Sequence, residues 1–169
     1  MRMIDPLLME FDREASTTRR VLERVPKDKL SWRPHAKSYS LGQLANHIAG
    51  LPNWVGGSLL PGGFDMATRP DGGTPKEPAS HEALLKTFDE SCATAKNAMA
   101  QLDDARAMGP WTLRFGPKVI FEMPRLAFVR TILLNHSIHH RGQLTVYLRL
   151  LEVPLPSVYG PTADENPFV

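Results

Sequence analysis

The chain has 169 residues and a mass of 18.9 kDa, with 20 Lys plus Arg against 18 Asp plus Glu and a formal charge of +2. That length suits one domain, residues 1–169, able to bury a core without covalent or metal staples. The charge balance offers no basic footprint for nucleic acid or an anionic membrane, 42% hydrophobic residues exclude a disordered chain, and the single cysteine, Cys92, excludes a disulfide framework and a cysteine-based zinc cluster.

In chain order, the first predicted helix runs from Pro6 to Val25. Leu7, Leu8, Phe11, Ala15 and Leu22 form one apolar stripe, Asp5 before Pro6 reads as a cap, and Pro26 ends the helix. The second begins at Ser40, which with Gln43 fits a capping box. Its stripe is Leu41, Leu44, Ile48, Leu51 and Val55, and Pro52 predicts a kink or an early stop. Residues 56–79 are crowded with Gly and Pro and read as a long loop, a candidate lid. The third helix follows Ser80, with Leu85, Phe88, Cys92, Ala95, Met99 and Leu102 spaced for bundle packing. Cys92 on that seam reads as a small buried hydrophobe and not a reactive thiol. Residues 110–123 alternate around Gly116-Pro117, which suits a short β-hairpin or an extended loop. The last helix spans Pro124 to Glu152, and the tail from Pro154 is turn-rich. Four amphipathic helices predict an all-α four-helix bundle, with a short hairpin before the last helix. No run approaches the ~20 apolar residues of a membrane span, and the acidic start lacks a signal-peptide core. A cytoplasmic protein is expected.

The histidines carry the chemical signal. Continued through the last helix, the stripe reads Leu126, Val129, Leu133, His136, His140, Gln143, Tyr147, Leu150, so polar groups fall where a bundle wants Leu. An unpaired buried polar group costs on the order of 1–3 kcal/mol, so these imidazoles need partners. Four residues apart on one helix face, His136 and His140 have the spacing of two ligands to one ion. His47, bordering the stripe of the second helix, is the best third ligand. His35 in a loop and His81 in a first turn read as ordinary surface residues, and His139 sits off the seam as a neighbour. A single half-buried histidine is normally structural; the pair on the seam is what shifts the balance. No histidine has the Glu-x-x-His spacing of di-iron bundles, and His81-Glu82 lacks the second His of a zincin.

Three neutral imidazoles would leave an ion its full charge and an open position, the pattern of a catalytic site. Gln143 is a candidate to orient a bound water or ligand. Arg141 is a candidate to bind a substrate carboxylate, although a surface arginine is the plainer reading. Asn46 and Asn135 each precede a proposed ligand, and Tyr147 reads as a core aromatic.

The segments Leu44-Ala45-Asn46-His47-Ile48, Asn135-His136-Ser137-Ile138-His139-His140-Arg141-Gly142-Gln143-Leu144 and Val153 to Glu165 resemble the DinB family of metalloenzymes. Trp32-Arg33-Pro34 ahead of a Ser-Leu-Gly helix start resembles it too. The resemblance spans nearly the whole chain, with 56–79 its least typical stretch. It implies a four-helix bundle with His47, His136 and His140 around one divalent ion, nickel or zinc, and a homodimer. It also implies a small-molecule substrate, with chemistry on low-molecular-weight thiols by transfer or isomerisation; activation of water for hydrolysis is the other enzymatic option. The non-enzymatic alternatives are a metal-stabilised dimeric stress or sensor protein, and a bundle with no metal at all.

Overall fold

The computed structural model describes residues 1–69 and 73–168. Its elements are α1 (Asp5–Leu22), a 3-10 turn (Lys27–Lys29), α2 (Leu41–Leu59), β1 (Gly63–Asp65), a second 3-10 turn (Met66–Thr68), α3 (His81–Ala100), the short α4 (Asp104–Met108), β2 (Pro110–Phe115) and β3 (Lys118–Pro124). One continuous helical run closes the order: α5 (Arg125–Phe128), a π-helical stretch (Val129–Asn135) and α6 (His136–Leu150).

The protein is mostly helical but not all-α, which corrects the sequence expectation. β2 and β3 form the antiparallel hairpin anticipated near 110–123, with a bulge between Leu113 and Arg114. β1 was not anticipated. It lies parallel to β2, pairing Gly63, Phe64 and Asp65 with Thr112, Leu113 and Arg114. Three residues carry too little alternation to announce a strand; β1 exists because the free edge of β2 offers unpaired backbone groups. Part of the expected 56–79 loop is therefore ordered as helix, strand and turn, while residues 70–72 of that candidate lid lie outside the described residues.

Local signals explain the helix ends. Ser40 and Gln43 make both bonds of a capping box: the Gln43 N–H donates to Ser40 Oγ (3.2 Å) and the Ser40 N–H to Gln43 Oε1 (2.9 Å). Ser80 Oγ accepts from the Ala83 N–H at 3.0 Å and starts α3. Asp5 is not a cap. It lies inside α1, and its carboxylate accepts instead from the Arg2 backbone N–H at 2.7 Å. Pro52 does not stop α2, which continues seven residues to Leu59 because Val55 and Leu59 are fully buried. In α3 the buried stripe holds Phe88, Cys92, Ala95 and Met99, with Leu84 replacing the expected Leu85.

Helices α1, α2, α3 and the last helical run share one core. Helix α2 packs directly on α3. A Cβ at Gly56 would lie 2.9 Å from the backbone of Thr94 and Ala95, so only glycine admits this spacing. The sheet is joined to the helices by Trp111, which is fully buried and stacked on Phe128 with centroids 3.7 Å apart. Its indole N–H donates to the Ser58 carbonyl at 3.0 Å, tying β2 to the end of α2. No described helix is long and apolar enough to cross a membrane.

Gly56→Ala should separate α2 from α3 and destabilise the fold by about 1–3 kcal/mol, the usual range for overpacking. Chemical denaturation would read this as a lower midpoint with an unchanged slope, and an unaltered midpoint would mean the interface yields freely.

Candidate metal centre

Three histidines meet where α2 crosses the start of α6. His47 Nε2 lies 3.2 Å from His136 Nε2, which lies 2.8 Å from His140 Nε2, and all three side chains are half-buried. Two bonds of about 2.0–2.1 Å to one ion, at angles between 90° and tetrahedral, place nitrogens about 2.8–3.4 Å apart. Both measured spacings fall in that range, and all three ligand atoms lie within 4.8 Å of one another. His140 Nδ1 sits 2.8 Å from Gln143 Oε1, an acceptor that keeps the proton on Nδ1 and turns the Nε2 lone pair inward. The three histidines together could hold a metal ion.

The electrostatics agree with neutral ligands. Desolvation by burial, followed by the neighbouring imidazoles, lowers His47 from 6.5 to about 4. His136 falls to about 4 for the same reasons in the same order, and His140 is also lowered, chiefly by burial. Charging any ring would put a cation against two neighbours in a half-buried pocket.

The phase of the last helix differs from its sequence reading. The buried positions of α6 are Arg141, Leu144 and Leu148, with Ser137 half-buried, whereas the expected stripe was His136, His140, Gln143 and Tyr147. The displacement is one residue at every step. It arises in the π-helical stretch, where i→i+5 bonding takes up an extra residue and rotates everything downstream. The histidines consequently line the flank of the core and do not sit within it. Gln143 is exposed, and Leu150 is 58% exposed.

The same rotation moves Arg141 into the core. It is neither a surface residue nor at the histidine cluster. With its side chain 2% exposed, it pairs with Glu14 Oε2 at 2.7 Å and donates to Thr18 Oγ1 at 3.2 Å and to the Tyr159 hydroxyl at 2.5 Å. Tyr159 in turn donates to Glu14 Oε2 at 2.8 Å. Arg141 thus fastens α1 and the C-terminal tail to α6. Gln143, proposed to orient a ligand, instead orients His140. Asn46 donates to the Lys76 carbonyl at 2.9 Å and holds the loop after Gly73 against α2. Tyr147 is half-buried against Trp32. His35, His139 and Asn135 are exposed, and the His81 ring lies 3.2 Å from the Leu22 carbonyl oxygen. Burial pushes the Cys92 thiol up to about 12, which removes it as a nucleophile.

A cavity of about 560 Å³ opens beside the cluster, with His47 and His136 in its wall. Its apolar side is built by Trp54 and Leu51 of α2, Ile132 of the π stretch, and Leu113 and Phe121, partners across β2 and β3. Arg69, Thr74 and Pro75 also line it. Sequence reasoning missed Arg69 and the sheet floor. Arg69 stands in the Gly/Pro-rich stretch with no periodicity to assign it a face.

The chain matches the DinB family profile over residues 2–166. It belongs to the DinB family. It is 24% identical over 166 residues to the uncharacterized protein YrdA of Bacillus subtilis strain 168, covering 96% of this chain and 91% of that one. Two solved structures share the fold. A DinB-like protein from Bacillus cereus ATCC 10987 has a TM-score of 0.69 and 22% identity over 90% of this chain and 95% of that one. The DinB-like YjoA of Bacillus subtilis has a TM-score of 0.69 and 19% identity over 91% of this chain and 98% of that one.

The lowered histidine values set a pH dependence for the metal-free protein. The unfolded chain takes up these protons near 6.5, whereas His47 and His136 hold them off until about 4. Between those limits the unfolded state binds more protons, so stability falls as pH falls through that window and is level above it. Denaturation of chelator-treated protein at pH 7.5, 6 and 5 should show this decline. The His47→Gln/His136→Gln double variant should show a shallower one, and equal slopes would place the pH dependence elsewhere.

Proposed function

We propose that this DinB protein is a divalent-metal-dependent enzyme whose ion, nickel or zinc, is held by His47, His136 and His140. The observation that carries the reading is the convergence of three Nε2 atoms at the edge of a 560 Å³ cavity, with no fourth histidine, cysteine or carboxylate in the group among the described residues. Structural metal sites close with four protein ligands, while catalytic ones leave a position for substrate. This favours catalysis over a purely metal-stabilised sensor protein.

A divalent ion bound there supplies a Lewis acid that lowers the pKa of water or a thiol toward neutrality. The protein's own groups supply the rest. Gln143 fixes the His140 tautomer, burial keeps the imidazoles unprotonated at neutral pH, and Trp54, Leu113 and Phe121 provide a water-poor wall along which a small substrate lies. The chemistry that fits is activation of a low-molecular-weight thiol for transfer onto an electrophile or for isomerisation, with hydrolysis by activated water as the other outcome. The scaffold is read as a four-helix bundle carrying a sheet at one end. A homodimer and a cytoplasmic location complete the proposal.

His136→Ala and His140→Ala should each weaken metal binding well beyond tenfold, because each removes one bond to the ion, while His35→Ala leaves it alone. Mass-spectrometric metal content of tag-free protein checks this, and unchanged content in either of the first two would overturn the ligand set. Zinc- or nickel-loaded protein should turn over a small thiol with an alkylating electrophile, lose that activity on chelation and regain it on reloading. Equal rates with and without metal would leave the site without a catalytic role.

A further inference from the structure

We propose that the cavity beside the histidines binds a small amphipathic carboxylate, its apolar body against the α2–sheet wall and its charged end on Arg69. This deepens the reading above and rests on it for the chemistry at the far end of the ligand, but the Arg69 contact stands on its own geometry.

The first observation is charge. The described lining of the cavity contains Arg69 and no Asp or Glu. An ion held by three neutral imidazoles would add two further positive charges, with no acid among the described residues of the wall to balance them. A ligand that enters this space is favoured if it brings negative charge.

The second is the state of Arg69 itself. Among the described residues six arginines pair with carboxylates, Arg141 with Glu14 and Arg149 with Asp164 among them, and Arg125 donates to the Leu59 carbonyl. Among the described residues, no oxygen accepts from the Arg69 guanidinium. Its neighbour is Gly73, where an added Cβ would lie 3.3 Å from Arg69 Nη1 and where φ is +88°. A glycine at this point leaves the guanidinium room in the wall.

The third is anchorage. The Arg69 backbone N–H donates to the Met66 carbonyl at 3.2 Å, closing the 3-10 turn. That turn is capped by Asp65, whose Oδ1 accepts from both the Ala67 and Gly116 N–H groups at 2.9 Å. The base of Arg69 is therefore fastened to the hairpin and does not ride on a free loop. A planar guanidinium with open donors suits one carboxylate in a two-point pair. The volume of about 560 Å³ and the Trp54, Leu113, Phe121 and Ile132 wall suit an aryl or alkyl body.

The probes are 4-phenylbutyrate and 4-phenylbutanol, which share a body and differ in charge. Calorimetric titration of zinc-loaded and chelator-stripped protein, as wild type and as Arg69→Gln, decides the matter, with metal content measured on every sample. The acid should bind the wild type about tenfold or more tightly than the alcohol, loaded or stripped, as expected for a hydrogen-bonded charge. Arg69→Gln should reduce that preference to within about twofold without changing metal content. The proposal is overturned if the preference survives in Arg69→Gln, if it vanishes on stripping while Arg69 is intact, or if neither probe binds the wild type. A wild type that holds no metal yet keeps an Arg69-dependent preference would sink the metal reading and leave this one standing.

Discussion

Three imidazole nitrogens turned toward one another in a half-buried pocket cannot all be satisfied by the protons the rings carry. Gln143 commits the His140 proton to Nδ1, so His140 brings only a lone pair to the cluster. His136 Nε2 lies within hydrogen-bond reach of both other nitrogens and has at most one proton to give. A second proton would create a cation that burial and the neighbouring rings oppose. A divalent ion could accept all three lone pairs at once, so the cluster could hold one. The rest of the molecule supports this geometry: α2 and α6 cross at the cluster, and α2 is seated on α3 by a contact only Gly56 permits.

The π-helical stretch is the device that makes the site possible. Its extra residue rotates α6 so that Arg141, Leu144 and Leu148 face the core, while His136 and His140 stay half-buried on its flank and His136 lines the cavity. Without it, the imidazoles would replace leucine in the core with no open side. The cost is a buried guanidinium, and Glu14, Thr18 and Tyr159 answer it from α1 and the tail. Breaking such a buried pair by removing one partner costs about 3–5 kcal/mol; the Arg141 network and the half-buried histidine face are two consequences of one phase slip.

The sheet and its preceding strand turn a helical scaffold into a container. Leu113 and Phe121 are paired across the hairpin and present one face to the cavity. β1 and the turn after it carry Arg69 into the cavity wall. The cavity thus has three histidines at one edge that could hold a metal ion, an apolar flank and, among its described lining residues, one arginine and no acid.

What the sequence determined by itself was local. Ser40 with Gln43, and Ser80, announce helix starts because capping needs only a few neighbouring residues. The pairing of His136 with His140 follows from one helical turn, and His47 stood out as the histidine bordering an apolar stripe. The tertiary structure decided everything that depends on phase or on distant partners. The π stretch carries no residue signature, so the sequence places the stripe of α6 one position early and offers Arg141 as a surface group or a carboxylate binder, whereas it is buried on Glu14. β1 is three residues long and is held by pairing with β2, some fifty residues away, which no window of its own sequence contains. Arg69 has no periodic context, and only folding reveals that it faces the same cavity as His47. Local hydrogen bonding is written in neighbours; the direction a side chain faces is set by the turns before it and by what packs against it.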